Sequence, residues 1–240
     1  MLVPSLQLVD VGKLEQCTLP REVTFWRHVY DELGHRLGLA LHRNPLFAED
    51  LGTSPVASLA IDTLHALNYG PMSRWTHMAL VRMIALNPWR IQGTQPQIAE
   101  VATRRLRGHL MKWFQRKQVP HENRLNDLTL KMIGYEASDE TAGELKLKAH
   151  EIWILLLWCV DLIQELGTHM HMYEDMLKAG QAIVHFMNVM RQAPMRVPPP
   201  QQQELFDAML EHLIHADLAG IECVPKHHYC AHLVERIQKA

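Results

Sequence analysis

Cysteine is scarce in this chain of 240 residues: there are four, at positions 17, 159, 223 and 230, and none forms a Cys-x-x-Cys pair. So few and so scattered, they exclude a secreted disulfide scaffold and point to a reducing, intracellular setting. An excess of one charge is also missing. Lys and Arg total 24 against 26 Asp and Glu, a formal net charge of -2, so any footprint for nucleic acid or an acidic surface must be local. The strongest apolar run, Ile152 to Val160, is bounded by Glu151 and Asp161. It falls far below the roughly 20 residues that span a bilayer, so no membrane partner is expected. The N-terminal stretch MLVPSLQLVDVGKLEQC has no basic segment followed by an unbroken apolar one and does not read as a secretory signal. Walker, GxGxxG, GxSxG and HExxH motifs are absent, as is the zinc-deaminase HxE with PCxxC, which removes those enzyme classes. No internal repeat of fixed period occurs.

What is present is an ordinary globular composition, 48% hydrophobic and 21% charged, in a length that suits one large domain or two small ones. Histidine is the exception. Sixteen of them would carry the formal charge from -2 to +14 on full protonation, most of it near an ordinary value of about 6.5.

The periodicity predicts a mainly helical fold with at most a few strands near the N-terminal side. Trp26, Val29, Leu33 and Leu37 share one face of a helix over about 20–41. The apolar residues before Asp62 fit either a buried strand or the opening of a helix. Gly70 and Pro71 punctuate the chain, and Ser73 to Leu86 follows as a helix that stops before Asn87 and Pro88, because a residue preceding proline avoids the α region. A helix over about 97–118 carries the apolar stripe Ala102, Leu106, Leu110 and Phe114. Another over about 143–166 is apolar nearly all round, which makes it the central helix of a bundle. Helices over about 170–190 and 204–219 are separated by a proline-rich connection carrying Pro194 and Pro198 to Pro200.

Three constellations carry chemical meaning. Cys223, His227, His228, Cys230 and His232 put five candidate ligands in ten residues, and zinc accepts thiolate and imidazole alike. The same pattern fits a helix start with surface histidines in a histidine-rich chain. Asp62 and His65, three apart in IDTLHALNYG, would share one helical face; carboxylate oxygen suits Mg²⁺ or Mn²⁺, while a simple helix N-cap fits the same spacing. On the helix around Arg104, residues Arg105, His109, Lys112 and Arg116 recur at i, i+4, i+7 and i+11, joined by Arg104, Arg107 and Lys117. A basic stripe about three turns long can follow a phosphate backbone, although charge opposite an apolar face ordinarily means solvation.

Taken together, IDTLHALNYGP and, after a long helical stretch, CVPKHHYCAHL resemble two signature segments of cut-and-paste DDE transposases, particularly the CACTA-like group and its domesticated or degenerate relatives. In that family a D-x-x-H signature carries the second metal-binding acid of an RNase H-like core. A mostly helical insertion follows, and a P-K-x-H segment with a second His precedes the last acid. Asp62 with His65 matches the first signature; Pro225, Lys226, His228 and His232 match the second, with His227 and His232 as an alternative pairing.

The resemblance implies two-metal phosphoryl chemistry on DNA with Mg²⁺ or Mn²⁺, Asp62 being one catalytic carboxylate. It also implies a structural Zn²⁺ site built on the histidine pair, completed by His65 and one of Cys223 or Cys230. The first acid has no clear counterpart, although Asp10 follows the apolar run LQLVD as a strand-end aspartate would. The family's last acid lies beyond the His segment and Glu235 comes too early for it, so a transposase-derived chain inactive by itself is expected. The organisation that follows is a partial RNase H-like segment over 1–72, a helical insertion over 73–193, the proline-rich connection over 194–203, and a C-terminal helix with the Cys/His segment over 204–240. DNA is the expected partner, a homo-oligomer is compatible, and the location would be nuclear if DNA is bound. The alternative is a non-enzymatic helical interaction or DNA-binding module with a structural zinc site.

Overall fold

In a computed structural model the residues described are 66–135, 143–166, 173–194, 197–222, 226, 227 and 230. All lie within one compact unit, Ile61–Ala240. The expected helix over 20–41, the N-terminal strands, Asp10, Asp62, His65, Cys223, His228 and His232 lie outside the described residues.

Among the described residues six α-helices are delimited at both ends, in order: α1 Ser73–Leu86, α2 Gln95–Arg116, the single turn α3 Leu130–Ile133, α4 Ala149–Leu166, α5 Glu174–Gln192 and α6 Pro199–Leu218. No strand occurs among the described residues, so the mainly helical class is observed. No described helix is long and apolar enough to cross a membrane.

The boundaries show which local signals acted. Helix α1 ends where expected, at Leu86, but Asn87 enters the left-handed region at φ 48°. Asparagine tolerates that conformation, and its side chain both donates to and accepts from the backbone of Ile91 at 2.8 Å. Helix α2 begins at Gln95 rather than Gln97, because Gln97 Oε1 reaches back to accept from the Thr94 N–H at 2.9 Å. Helix α4 starts at Ala149, later than the expected 143, and α5 covers Glu174–Gln192 instead of 170–190.

The largest correction concerns proline. The expected connection over 194–203 is cut short, because Pro198 is the N-cap of α6 and Pro199 and Pro200 occupy its first helical positions. A proline there forfeits only an N–H that has no partner within the helix, and its fixed φ is already helical. Gly70 and Pro71 likewise do not end an element: they lie within a π-helical turn, Asn68–Met72, that runs directly into α1. Gly70 departs from helical geometry there (φ -115°, ψ -112°), and Pro71 brings no N–H to the preceding turn.

Helix α4 is the centre, as its all-round apolarity predicts. Ile152, Leu155, Leu156, Trp158, Cys159, Leu162 and Ile163 are buried, and the helix packs against α1, α5 and the π-turn. Ala102, Leu106, Leu110 and Phe114 of α2 are all buried, as their spacing requires. The most extensive pairing joins α5 and α6; Met176, Ala179, Ile183 and Phe186 are buried on the first and Leu205, Ala208, Met209 and Ala216 on the second.

Candidate functional site

The two signature segments, more than a hundred residues apart in the chain, meet in space. Lys226 Nζ donates to the carbonyl of Tyr69 at 3.1 Å, and the ammonium stands 5.7 Å from the centre of the Tyr69 ring. The stem of Lys226 runs so close to the π-turn that a Cβ on Gly70 would lie 2.7 Å from Lys226 Cβ. Glycine at 70 is therefore required by close approach. Beside this junction Arg74 pairs with Glu222 at 3.3 Å, and the Arg82 guanidinium donates to the carbonyls of Ala219 and Gly220 just past α6. Arg82 thus supplies donors where a helix end leaves carbonyls unpaired and partly negative.

Of the seven expected metal ligands, His227 and Cys230 are described, and both are buried. The His227 ring stacks on that of His212, with centroids 5.9 Å apart and planes 8° from parallel. His212 is a residue that sequence reasoning did not single out. It occupies the inward face of α6, in register with Leu205, Ala208 and Ala216, and its Nδ1 lies 2.8 Å from the Ala179 carbonyl. A carbonyl only accepts, so Nδ1 carries the proton. Burial pushes His212 down to about 4, opposed by that hydrogen bond, and the ring is neutral. Cys230 is a free thiol that burial pushes up to about 12. Among the described residues no three His, Cys, Asp or Glu side chains come together to hold a metal ion.

The basic stripe on α2 is more internally engaged than its spacing suggests. Arg107 pairs with Asp127 at 2.9 Å, Arg116 with Glu165 at 2.8 Å and Lys117 with Asp161 at 2.9 Å, while Arg104 pairs with Glu100 on its own helix. Arg105 and Lys112 are exposed and have no ion pair among the described residues. The acids come from α4 and from the segment before α3, so α4 presents its buried face to the core and its Asp161 and Glu165 to α2.

His109 stands in the middle of this face and is bonded on both ring nitrogens. Trp158 Nε1 donates to His109 Nδ1 at 3.0 Å, and His109 Nε2 lies 3.1 Å from Glu165 Oε2. An indole N–H can only donate, so Nδ1 must be the accepting nitrogen and Nε2 the one that donates to the carboxylate. One turn on, Trp113 Nε1 donates to Asp161 at 2.8 Å. Glu165 therefore receives both His109 and Arg116, and Asp161 receives both Trp113 and Lys117. The polar edge of the buried Trp158 was not legible in the chain, because its acceptor lies 49 residues away.

Comparison of the chain with family models, with curated proteins and with solved structures gives no match.

Proposed function

We propose that this chain derives from a cut-and-paste DNA transposase whose ancestral role is DNA strand cleavage and transfer by two-metal phosphoryl chemistry, that 73–193 forms its helical insertion, and that the chain by itself binds DNA without cleaving it. The observation that carries this reading is the contact of Lys226 with Tyr69 and Gly70. Two segments of one core lie near each other however long the chain between them, and here the segment after D-x-x-H touches the P-K-x-H segment across the helical excursion and α6. Divalent ions in such chemistry clamp the attacking and leaving oxygens, and Asp62 is the carboxylate of this chain proposed to hold one. DNA would lie along α2, where Arg105 and Lys112 face solvent and Arg104, Arg107, Arg116 and Lys117 line the same helix.

The test is fluorescence anisotropy of labelled duplex DNA with the full chain across a salt series. Affinity is expected to fall steeply with salt, and charge reversal at Arg105, Lys112 and Arg116 to flatten the slope. Binding that is absent, or indifferent to salt, removes DNA from the reading.

A specific observation favours a second reading, a helical interaction module without enzymatic activity. Arg107, Arg116 and Lys117 are each matched to an acid of another element, as in a face built for cohesion. Under that reading charge reversal at Arg116 lowers stability slightly and leaves DNA affinity unchanged.

A further inference from the structure

We infer that His109 is a proton-operated latch between α2 and α4 that regulates the proposed DNA face. The inference rests on the reading of α2 as that face and adds its control. Its physical basis is a conflict of donors. Trp158 is fully buried and its indole nitrogen can only donate; the acceptor it uses is the lone pair on His109 Nδ1. A proton taken up by the imidazole goes onto that lone pair. Two N–H groups then face each other at a 3.0 Å separation, the indole loses its acceptor, and the ring must turn away from Trp158. Imidazole is the side chain that makes this change between about pH 5 and 8.

The charged groups around the ring decide what the change does. From α4, Glu165 accepts from His109 Nε2 and from Arg116, and Asp161 holds Lys117. From α2 itself, Arg105 and Lys112 lie one turn to either side without acidic partners among the described residues, and Arg107 is held by Asp127. In the neutral state His109 adds no charge to the stripe and ties it to α4 through Trp158 and Glu165. Protonated, it adds a positive charge midway between Arg105 and Lys112, draws on the carboxylate that Arg116 otherwise shares, and gives up the Trp158 tie. Acid therefore strengthens the stripe and exchanges its tie to Trp158 for a charged one to Glu165 in one step.

Glutamine at this position separates the effects, since its amide carries one acceptor and one donor group and takes up no proton. The experiment compares the wild-type chain with His109→Gln at pH 8 and pH 5.5, reading the Trp158 indole N–H resonance by NMR and the salt slope of duplex DNA binding by anisotropy. The expected result is an indole resonance that shifts with acid in the wild type and stays in place in His109→Gln. The DNA salt slope should steepen on acidification by about one unit more in the wild type than in the variant, the value of one added phosphate contact. The comparison cancels the other histidines, which both proteins carry. An indole resonance that does not move in the wild type overturns the latch. A resonance that moves while the two proteins show the same acid response in DNA binding overturns its regulatory role. Loss of DNA binding at every pH with the indole still titrating marks failure of the DNA reading and takes that role with it. If His109→Gln does not fold, Glu165→Gln is the substitute: it retains the Trp158 bond and should preserve the acid shift of the indole.

Discussion

The α5–α6 pair and the α2–α4 face are held by opposite means. Between α5 and α6 the contact is mainly apolar, with His212 set into it neutral and fully buried and the pairs His185–Glu204 at 3.1 Å and His215–Asp175 at 2.8 Å at its margins. Between α2 and α4 the side chains that meet are Trp113, Trp158 and His109 with Asp161 and Glu165, and arginine and lysine close the rim. Burial of apolar area is insensitive to salt, whereas exposed ion pairs are screened and individually weak. The first region sets most of the stability and the second most of the response to salt.

The sharpest break of that contrast is in the apolar region. Trp75 is fully buried against α5 and donates to the Met176 carbonyl at 2.9 Å, so Trp75→Ala is expected to lower unfolding free energy by about 4 kcal/mol, read from urea midpoints. Acid should act there next. The folded-state value of His212, about 4, lies below the ordinary one, so the fold favours the neutral ring. That stability is complete above pH of about 6.5 and is lost as pH falls toward 4, on the order of 3 kcal/mol in all. His212→Leu should flatten this limb of the stability profile; a limb of unchanged steepness would show that another group carries it.

Steric closeness gives a smaller effect. A Cβ on Gly180 would run into the Trp75 ring, so Gly180→Ala is expected to cost about 1 to 3 kcal/mol, measurable as a lowered melting temperature. In the polar region, Trp113→Phe removes one charge-assisted hydrogen bond from Asp161 and should cost about 1 to 2 kcal/mol. Glu165→Gln is the mildest, below about 1 kcal/mol, because Arg116 and the carboxylate are both half exposed; its stability difference from wild type should vanish in high salt. A salt-independent loss there would mean that the α2–α4 face is held by packing after all.

Much of the helical architecture was legible. The stripe from Ala102 to Phe114 and the apolar run of α4 repeat at helical spacing, and burial follows that spacing directly. The departures share a cause: Pro199, Pro200, Gly70 and Pro71 carry the local signal of a break, whereas a helix start accepts proline and a π-turn accommodates the Gly-Pro step. The capping signal Thr94-x-x-Gln97 was available and would have placed the start of α2 two residues earlier. His212 carried no such signal, since a histidine on the inward face of an amphipathic helix looks like any other until its acceptor on the neighbouring helix is known. The stripe on α2 was correct as a spacing and incomplete as a surface, because Asp127, Asp161 and Glu165 reach it from other elements.

Helix periodicity, capping and the central place of α4 were determined by the sequence itself, since each depends on residues within a turn or two of one another. Only the tertiary structure decided that Lys226 closes on Tyr69 and Gly70, that His212 stacks on His227, and that Trp158 takes its acceptor from His109. Those contacts join residues distant in the chain, and a side chain's charge, tautomer and exposure follow from the partner that packing brings to it.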